Sequence, residues 1–404
     1  MGKLRFRDDK GNNYDTQRTV QFKNFFKLPK SEKVNVIDKN KILSIQLHTK
    51  GAKLSENTDS LSIGSTTYYV RKTGQFIYGK QNFFNGAFDI LTSAFDNCLS
   101  SGDVPSLEID DLKISPNFFL QYISRKTFYK NIEKYTSGTG SKRLHESQLL
   151  GLTIKLPSLN EQQKIGGFLS AFDNLIQKQR EKIVLLKELK KGYLQKMFPQ
   201  KGTNVPTIRF KGFTDAWEQC ELSELANFGK GSGYSKGDLI DSGSPIILYG
   251  RLYTKYETTI SDVDTFVVQK SGSVITKGGE VIVPASGETA EDIAIASVVE
   301  KPGVLLGGDL NVIYPNEKID PTFLAISITY GKPHINMATR AQGKSVVHLH
   351  NSDLRKVMLD FPKREEQLRI SQYIKSIDNL ITLHQCKLDR YEELKNGYMQ
   401  RLLN

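Results

Sequence analysis

Two glycine-rich segments each contain a lysine, and residues of these types could bind a nucleotide phosphate. The first is Gly229-Lys230-Gly231-Ser232-Gly233, whose spacing is a weak match to a nucleotide loop and which follows no buried strand of the kind such a loop needs. The second, Gly343-Lys344-Ser345, ends like a phosphate loop but has Ala338 where that motif needs its first glycine. Both segments are therefore interpreted as surface loops.

Residue types suited to other chemistry are scattered. The sequence has no Asn-Pro-Pro-aromatic tetrapeptide for amino-methylation and no His-Glu-x-x-His motif. His348 and His350 lie on an alternating stretch, where histidines more often pack or face solvent than bind a metal. Cys98, Cys220 and Cys386 are isolated, which favours reduced thiols. The sequence predicts no catalytic centre, no metal site and no cofactor of its own.

The charge of the chain indicates a polyanionic partner. Its 404 residues include 56 Lys and Arg against 44 Asp and Glu, which gives a net charge of +12. Nucleic acid is the first candidate for that partner, and an acidic membrane surface is the second. No run approaches the length of a membrane span and the first residues lack an apolar secretory core, so a cytoplasmic protein is expected.

The elements that would position such residues are revealed by an internal duplication. A constant offset of 205 residues aligns Pro157–Pro199 with Pro362–Asn404 without a gap and gives 15 identities in 43 positions. Unrelated sequences of ordinary composition would share roughly two or three. The repeated segments include Asp173-Asn174-Leu175-Ile176, which recurs as Asp378-Asn379-Leu380-Ile381.

Each copy has the apolar spacing of a long helix. Apolar residues alternate four and three positions apart, which is a heptad pattern. Pro157 excludes helix before it and Ser158 with Glu161 forms a capping-box signature, so the first helix is predicted to begin at residue 159 or 160. About 38 residues at ~1.5 Å each give roughly 57 Å. The predicted coiled-coil seam residues are Ile165, Leu169, Phe172, Ile176, Ile183, Leu186, Ile370, Ile374, Ile377, Ile381, Leu388 and Tyr391.

A single amphipathic helix cannot bury its own apolar stripe, and the other copy is the obvious partner. The alternative is that each helix is only the core helix of its own domain, but core helices usually have about half this length. Polar residues stand at matched seam positions, Gln179 with His384 and Lys190 with Lys395. These are interpreted as residues that fix the register of the pair.

The duplication extends into the globular segments. Leu4-Arg5-Phe6-Arg7 is echoed by Ile208-Arg209-Phe210-Lys211, whereas residues 15–115 share little identity with 215–320. The predicted fold is α+β, with two tandem α/β globular domains separated and joined by two long helices that form an antiparallel coiled coil with a pseudo-twofold axis. The predicted boundaries are 1–156 for the first domain, 157–200 for the first helix, 201–361 for the second domain and 362–404 for the second helix. A module that was duplicated to read two targets would keep its frame and diverge where it touches them.

The repeated helices resemble the conserved regions of the specificity subunit of type I restriction-modification enzymes. The resemblance rests on Asn160-Glu161-Gln162-Gln163-Lys164-Ile165, Phe172-Asp173-Asn174-Leu175-Ile176 and Lys191-Gly192-Tyr193-Leu194-Gln195-Lys196-Met197-Phe198. It covers the whole chain, because this family alternates two target-recognition domains with two such helices. One departure is that Tyr14-Asp15-Thr16-Gln17 lacks the tryptophan of Phe213-Thr214-Asp215-Ala216-Trp217-Glu218.

The resemblance implies a non-catalytic subunit that binds double-stranded DNA. Each domain would read one half of a bipartite, asymmetric site, while the helices set the spacing and dock two methyltransferase (modification) subunits. Two motor-nuclease (restriction) subunits complete the expected complex. S-adenosylmethionine, ATP and magnesium are expected on those partner subunits, with no cofactor in this chain.

Basic loops bordered by aromatic and amide groups are the expected DNA-binding surface, with most cations on phosphates and a few groups on base edges. The candidates in the first domain are Lys50, Lys53, Arg71, Lys72, Lys80, Arg125, Lys126, Lys142 and Arg143, and those in the second are Lys230, Tyr234, Lys236, Arg251, Lys255, Arg340 and Lys344.

An alternative function is a non-catalytic coiled-coil scaffold or oligomerisation protein without sequence-specific DNA binding. Steep salt dependence of binding to duplex DNA separates these two functions. A third possibility, an enzyme with an unrecognised site, would show turnover by the isolated chain.

Overall fold

The computed structural model of this chain describes residues 4–14, 17–30, 32–34, 36–56, 66–137, 142–200, 202–340 and 347–403. It divides into two compact units. Unit 1 comprises residues 1–179 and 387–404, and unit 2 comprises residues 180–386. Each unit contains both helices and strands, as an α+β fold requires, and each of the two long helices contributes one segment to each unit.

Unit 1 is built from short strands and three short helices beside the long ones. Its strands are β1 (Arg18–Gln21), β2 (Phe26–Lys27), β3 (Leu43–Ile45), β4 (Ala52–Leu54), β5 (Tyr68–Arg71), β6 (Phe76–Tyr78), β7 (Phe88–Ile90), β8 (Cys98–Ser101), β9 (Ser106–Ile109) and β10 (Thr153–Leu156). Its helices are α1 (Pro116–Ile123), α2 (Lys126–Asn131), α3 (Glu146–Gly151), the first part of α4 (Leu159–Lys196) and the last part of α10 (Arg364–Leu402). Strands β2-β9-β6-β7 form a four-stranded sheet, and β1-β10, β3-β4 and β5-β8 form two-stranded ladders.

Phenylalanine rings dominate the core of unit 1. Phe119 packs edge-on against Phe22, Phe26 and Phe76, with ring centroids 5.3, 5.0 and 5.2 Å away. Helix α1 presents this ring, because Ser115 caps its N-terminus and the proline at position 116 suits the first helical turn. Edge-to-face rings add to the stabilisation that comes from burying apolar area.

Unit 2 has more strands and a more aliphatic core. Its strands are β11 (Glu218–Glu221), β12 (Ala226–Lys230), β13 (Leu239–Ile240), β14 (Ser244–Ile247), β15 (Thr259–Ile260), β16 (Phe266–Val267), β17 (Val274–Ile275), β18 (Glu280–Pro284), β19 (Ser286–Gly287), β20 (Ser297–Val299), β21 (Leu305–Leu306), β22 (Leu310–Pro315), β23 (Val347–His348) and β24 (Met358–Phe361). Its helices are α5 (Arg251–Thr254), α6 (Ala290–Ile293), α7 (Pro321–Tyr330), α8 (Lys332–Arg340), α9 (Asn351–Leu354), the second part of α4, and the first part of α10 (Arg364–Leu402). Two five-stranded sheets have the orders β12-β22-β18-β20-β15 and β13-β16-β14-β21-β17.

Both units keep the same N-terminal ladder. Strand β1 pairs antiparallel with β10, and β11 pairs antiparallel with β24. The ladder of unit 1 therefore forms without the tryptophan of unit 2, where Trp217 packs against Phe198 and Phe323 at 5.7 and 5.6 Å.

The first long helix begins where its capping signal predicts. Helix α4 starts at Leu159 and has 38 residues, and α10 has 39. Inside each unit their segments pack antiparallel, because contacts that advance along α4 go backwards along α10: Phe168 meets Tyr398 and Asp173 meets Lys395 in unit 1. Of the twelve predicted seam residues, eight are buried, and Phe172, Leu186, Ile381 and Tyr391 are half-buried.

An arginine clamps the start of each long helix to the N-terminal segment of the same unit. In unit 1, Arg5 donates from Nε and Nη2 to the two carboxylate oxygens of Glu161, at 3.1 and 2.6 Å. In unit 2, Arg209 does the same to Glu366, at 2.9 and 2.6 Å. Both glutamates are buried, so these bidentate pairs are better shielded from water than surface ion pairs. The Glu366 carboxylate raises the pKa of Arg209.

A lysine–aspartate pair also recurs in both units. Lys395 Nζ lies 2.5 Å from Asp173 Oδ1, and Lys190 Nζ lies 2.6 Å from Asp378 Oδ1. These are the two lysines that the sequence places at matched seam positions. Each pair joins α4 to α10 within one unit, so it favours a single register between the two segments.

Candidate DNA interface

Arg71, a predicted phosphate contact, lies in the interior of unit 1. Its guanidinium donates to Ser100 Oγ at 2.6 Å, Ser106 Oγ at 3.2 Å and the Val104 carbonyl oxygen at 3.1 Å. Burial lowers the pKa of Arg71 to about 10, so the group stays charged at neutral pH. With its donors directed inward, Arg71 is a structural residue that holds β5 to β8, and its placement argues against the predicted role in DNA binding.

Arg251 and Tyr234 are buried in unit 2. Arg251 Nη1 lies 2.7 Å from Asp264 and Nη2 lies 2.8 Å from Glu257, so two carboxylates already neutralise it. The Tyr234 hydroxyl accepts the Lys270 backbone N–H at 2.7 Å. Both side chains hold loops together inside the unit, so their placement, like that of Arg71, argues against the predicted role in DNA binding.

Arg125 is half-buried in unit 1. Its guanidinium lies 3.9 Å from the centre of the Tyr122 ring and donates to the Leu403 carbonyl oxygen at 2.6 Å. These contacts tie α2 to the end of α10, so Arg125 positions other elements more than it presents a charge to solvent.

A second group of candidates is exposed or partly exposed but ion-paired. The pairs are Lys53–Glu56, Lys80–Glu146, Lys142–Glu133, Arg143–Asp103 and Lys255–Asp264. Exposed ion pairs contribute only about 0–1 kcal/mol. A DNA phosphate can therefore replace the carboxylate at small cost.

A third group is exposed and makes no ion pair with a carboxylate in the described part of the chain. It contains Lys50, Lys72, Lys126, Lys230, Lys236 and Arg340. Lys72 donates to Asn97 Oδ1, and Arg340 donates to the Lys356 carbonyl oxygen. Lys344 lies outside the described residues.

One turn of unit 1, residues 79–86, brings several candidates together. The Lys80 carbonyl oxygen accepts the Leu144 N–H at 2.8 Å, which attaches the basic segment that contains Lys142 and Arg143. The Asn85 carbonyl oxygen accepts the His48 N–H at 2.8 Å, which attaches the loop that contains Lys50. We call residues 79–86 the hub turn. Backbone hydrogen bonds at the hub turn therefore join three segments that carry candidate cations, an arrangement that suits a polyanion-binding surface.

Unit 2 has an equivalent turn at residues 284–290. The Leu349 N–H donates to the Ala285 carbonyl oxygen at 3.0 Å, which is the Leu144–Lys80 bond repeated 205 residues later. Here tyrosines border the turn. The Tyr253 hydroxyl donates to the Ser286 carbonyl oxygen at 2.7 Å, and its ring packs edge-on against Tyr249 at 6.2 Å. Both rings are partly exposed.

Sequence reasoning missed the polar and aromatic residues that lie on these turns or next to them. They are His48, Thr49, Asn82, Asn85 and Lys130 in unit 1 and Tyr249 and Tyr253 in unit 2. The sequence predicts amide and aromatic groups beside the basic loops, but it does not identify these particular residues. Their positions depend on hydrogen bonds between distant segments, which a local pattern cannot reveal.

No group of three or more His, Cys, Asp or Glu side chains in the described part of the chain is arranged to hold a metal ion. None of the helices described is both long and apolar enough to span a membrane.

Comparison with known proteins identifies a family model and relatives that match this chain. The family model of the type I restriction modification DNA specificity domain matches residues 30–187 and 214–393. The type I restriction enzyme MjaVIII specificity subunit of Methanocaldococcus jannaschii is 24% identical over 303 residues, which are 72% of this chain and 70% of that protein. The putative MjaX specificity subunit of the same organism is 27% identical over 305 residues, 72% of this chain and 68% of that protein.

A solved structure shares the fold. The crystal structure of a type I restriction-modification S subunit from M. genitalium matches with a TM-score of 0.66 and 16% identity, over 100% of this chain and 99% of that one. Because the family model matches most of the sequence in two successive blocks, this chain belongs to the type I restriction modification DNA specificity family.

Proposed function

We propose that each unit reads one half of a bipartite, asymmetric site in double-stranded DNA. Specificity subunits are the non-catalytic components of type I systems, so recognition is the role of such a chain. One observation carries the proposal. The Arg–Glu clamp and the Lys–Asp pair recur in both units, whereas a single four-stranded sheet in unit 1 corresponds to two five-stranded sheets in unit 2.

The two turns support two different half-sites. The hub turn of unit 1 carries Lys80, Asn82 and Asn85, whose side chains suit phosphates and base edges. The turn at 284–290 of unit 2 is bordered by Tyr249 and Tyr253. Lys230 ends β12, which lies in the same sheet as β18 with β22 between them. Surfaces of different chemistry select different sequences, which makes the site asymmetric.

The long helices are proposed to dock the methyltransferase subunits. Unit 2 exposes apolar side chains on both of its helical segments, with Val184 and Leu185 on α4 and Leu380 and Leu383 on α10. Leu185 is 65% exposed and Val184 56%. Exposed apolar groups on a helix pair are typical of a protein-binding surface.

The complete complex is proposed to contain two methyltransferase and two motor-nuclease subunits and to act in the cytoplasm. S-adenosylmethionine, ATP and magnesium would then serve those partners and not this chain. The helices would also fix the gap between the two half-sites.

Mapping of methylated sites in cells tests the proposal. Cells that contain the methyltransferase partner should methylate a bipartite sequence only when this chain is present. Binding of the complex to duplex DNA should weaken steeply with salt, by about 0.9 in log K per phosphate contact for each tenfold rise in salt concentration. A methylation map that is the same with and without the chain would refute the proposal.

A further inference from the structure

The hairpin between β3 and β4 has an unusual tip. Its two central residues, His48 and Thr49, have φ values of +60° and +57°. Hairpin tips that need two positive φ angles are usually Asn-Gly, because most side chains clash with the backbone in that region. Threonine is especially disfavoured there because it branches at Cβ. The chain therefore keeps two side chains at positions where glycine would be more stable.

Backbone contacts, and not these side chains, hold the tip. The His48 N–H donates to the Asn85 carbonyl oxygen, and the Thr49 N–H donates to the Gly86 carbonyl oxygen, both at 2.8 Å. Gly86 allows this approach, because a Cβ added to it would lie 3.0 Å from the Thr49 nitrogen. At the base of the hairpin, the carboxylate of the half-buried Asp89 accepts the Ala52 N–H at 2.7 Å.

The side chains at the tip face solvent. His48 and Thr49 are exposed, and the imidazole makes no hydrogen bond to any residue that the structure describes. The Thr49 hydroxyl bonds only to the neighbouring His48 carbonyl oxygen. Strained residues persist where the surroundings over-determine them, and such residues cluster at ligand-binding sites.

The groups around the tip match the edges of DNA bases. Asn85 Nδ2 donates to Asn82 Oδ1, which holds the two hub-turn amides together, and Lys130 Nζ donates to Asn85 Oδ1. Asn82 is exposed, and its side-chain nitrogen makes no hydrogen bond to any residue that the structure describes. Amide, imidazole and hydroxyl groups read base edges, whereas lysines such as Lys50 and Lys130 suit the phosphates on either side.

We propose that the β3–β4 hairpin enters the major groove and that His48 and Thr49, with Asn82, are specificity-determining residues of the half-site read by unit 1. A two-stranded ribbon fits this groove, and β3 pairs antiparallel with β4 in a two-stranded ladder whose exposed tip carries His48 and Thr49. This inference rests on the function proposed above and assigns its base-reading element.

The test uses the double variant His48→Asn, Thr49→Gly in the full chain, assembled with its methyltransferase partner. Asn-Gly favours the same turn, so the thermal unfolding midpoint should stay the same or rise. Affinity for the wild-type site should fall roughly 10- to 100-fold. The methylation map should show one or two relaxed positions in one half-site, with the other half and the gap unchanged. The unchanged half also reports that the variant complex has assembled.

Two further variants sharpen the test. Asn97→Gly relieves another exposed residue with positive φ in unit 1 (φ +58°), and it should leave the methylated sequence unchanged. Asn82→Ala should relax the same half-site as the double variant. A double variant that methylates the wild-type sequence would overturn this inference alone. A wild-type complex that methylates no bipartite sequence would overturn the proposed function as well.

Discussion

The cationic side chains of unit 1 differ in their exposure and in the protein groups that they contact. Lys142 lies 2.7 Å from Glu133, and Arg143 lies 2.8 Å from Asp103. The Lys142 ammonium holds the pKa of the Glu133 carboxyl below its usual value. Arg71, in contrast, is surrounded by serine hydroxyls and carbonyl oxygens in the interior. Two predictions separate these roles.

Reversing the charges with Lys142→Glu and Arg143→Glu should weaken DNA binding at every sequence. Each lost phosphate contact removes about 0.9 from the slope of log K against log salt, so the slope should flatten by roughly 2. Salt titrations of duplex binding measure this. The control Glu133→Gln with Asp103→Asn removes both partners without adding negative charge, and it should bind at least as tightly as the wild type. Unchanged affinity of the reversed variant would exclude this segment from the interface.

Replacing Arg71 by alanine should lower stability and leave the salt slope unchanged. The substitution removes the guanidinium donor from the Ser100 and Ser106 hydroxyls and leaves the Val104 carbonyl oxygen with the Ser100 hydroxyl as its remaining side-chain donor. The loss of these buried hydrogen bonds costs about 2–4 kcal/mol. Thermal unfolding and salt titration together provide the check. The exposed neighbour Lys72 is the matched control, because its alanine variant should change stability by less than ~0.5 kcal/mol. A flatter slope for folded Arg71→Ala would restore this residue to the interface.

At the scale of elements, the sequence predicts the long helices well and the site poorly. Pro157, the capping signal and the heptad spacing are local features, and α4 begins within the predicted residues. The seam lysines were identified, but their partners Asp173 and Asp378 were not, because antiparallel pairing joins residues about 200 positions apart. Arg71 and Arg251 were placed on the surface because the serines and carboxylates that accept their donors are not visible in a local pattern.

Lengthening both helices should lengthen the gap between the half-sites. Seven residues inserted after Gln179 and seven after His384 preserve heptad phase and add ~10.5 Å to each helix. At a rise of about 3.4 Å per base pair, the gap should grow by about three base pairs. Methylation mapping of the variant measures it. The same seven residues inserted after Gln200, outside the helix, should leave the gap unchanged. An active helix variant with the original gap would restrict the helices to docking.

Across the whole molecule, the same contacts recur in both units, and the segment that they border differs between the units. The Arg5–Glu161 clamp and the Gln162 side chain, whose Oε1 accepts the Ser115 N–H, lie at the borders of the divergent segment. Their counterparts in unit 2 are Arg209–Glu366 and Gln367, which accepts the Asp320 N–H. The segment between these borders can therefore differ without altering the contacts between each unit and its long helices.

Exchanging residues 15–115 for the matching segment of another specificity subunit should change one half of the methylated site. The other half and the gap should persist, because the frame contacts remain. The reciprocal exchange of residues 215–320 is the matched variant and should change only the opposite half. Methylation mapping of both chimaeras provides the test, and a change in both halves from either exchange would contradict modular reading.

Unit 1 is built from two separate stretches of the chain, residues 1–179 and 387–404. This arrangement constrains the order in which the protein can fold during synthesis. The Leu4 N–H donates to the Arg401 carbonyl oxygen at 2.9 Å, and Leu402 and Leu403 are buried in the phenylalanine core of unit 1. A ribosome makes all of unit 2 before it makes these residues. Until then the nascent first unit lacks part of its core, and Phe168 and Phe172 lack the ring of Tyr398 that packs against them. Exposed apolar surface of this kind makes a folding intermediate prone to aggregation. A chain truncated near residue 386 would lack residues 387–404, which belong to unit 1 although the rest of that unit is synthesised first.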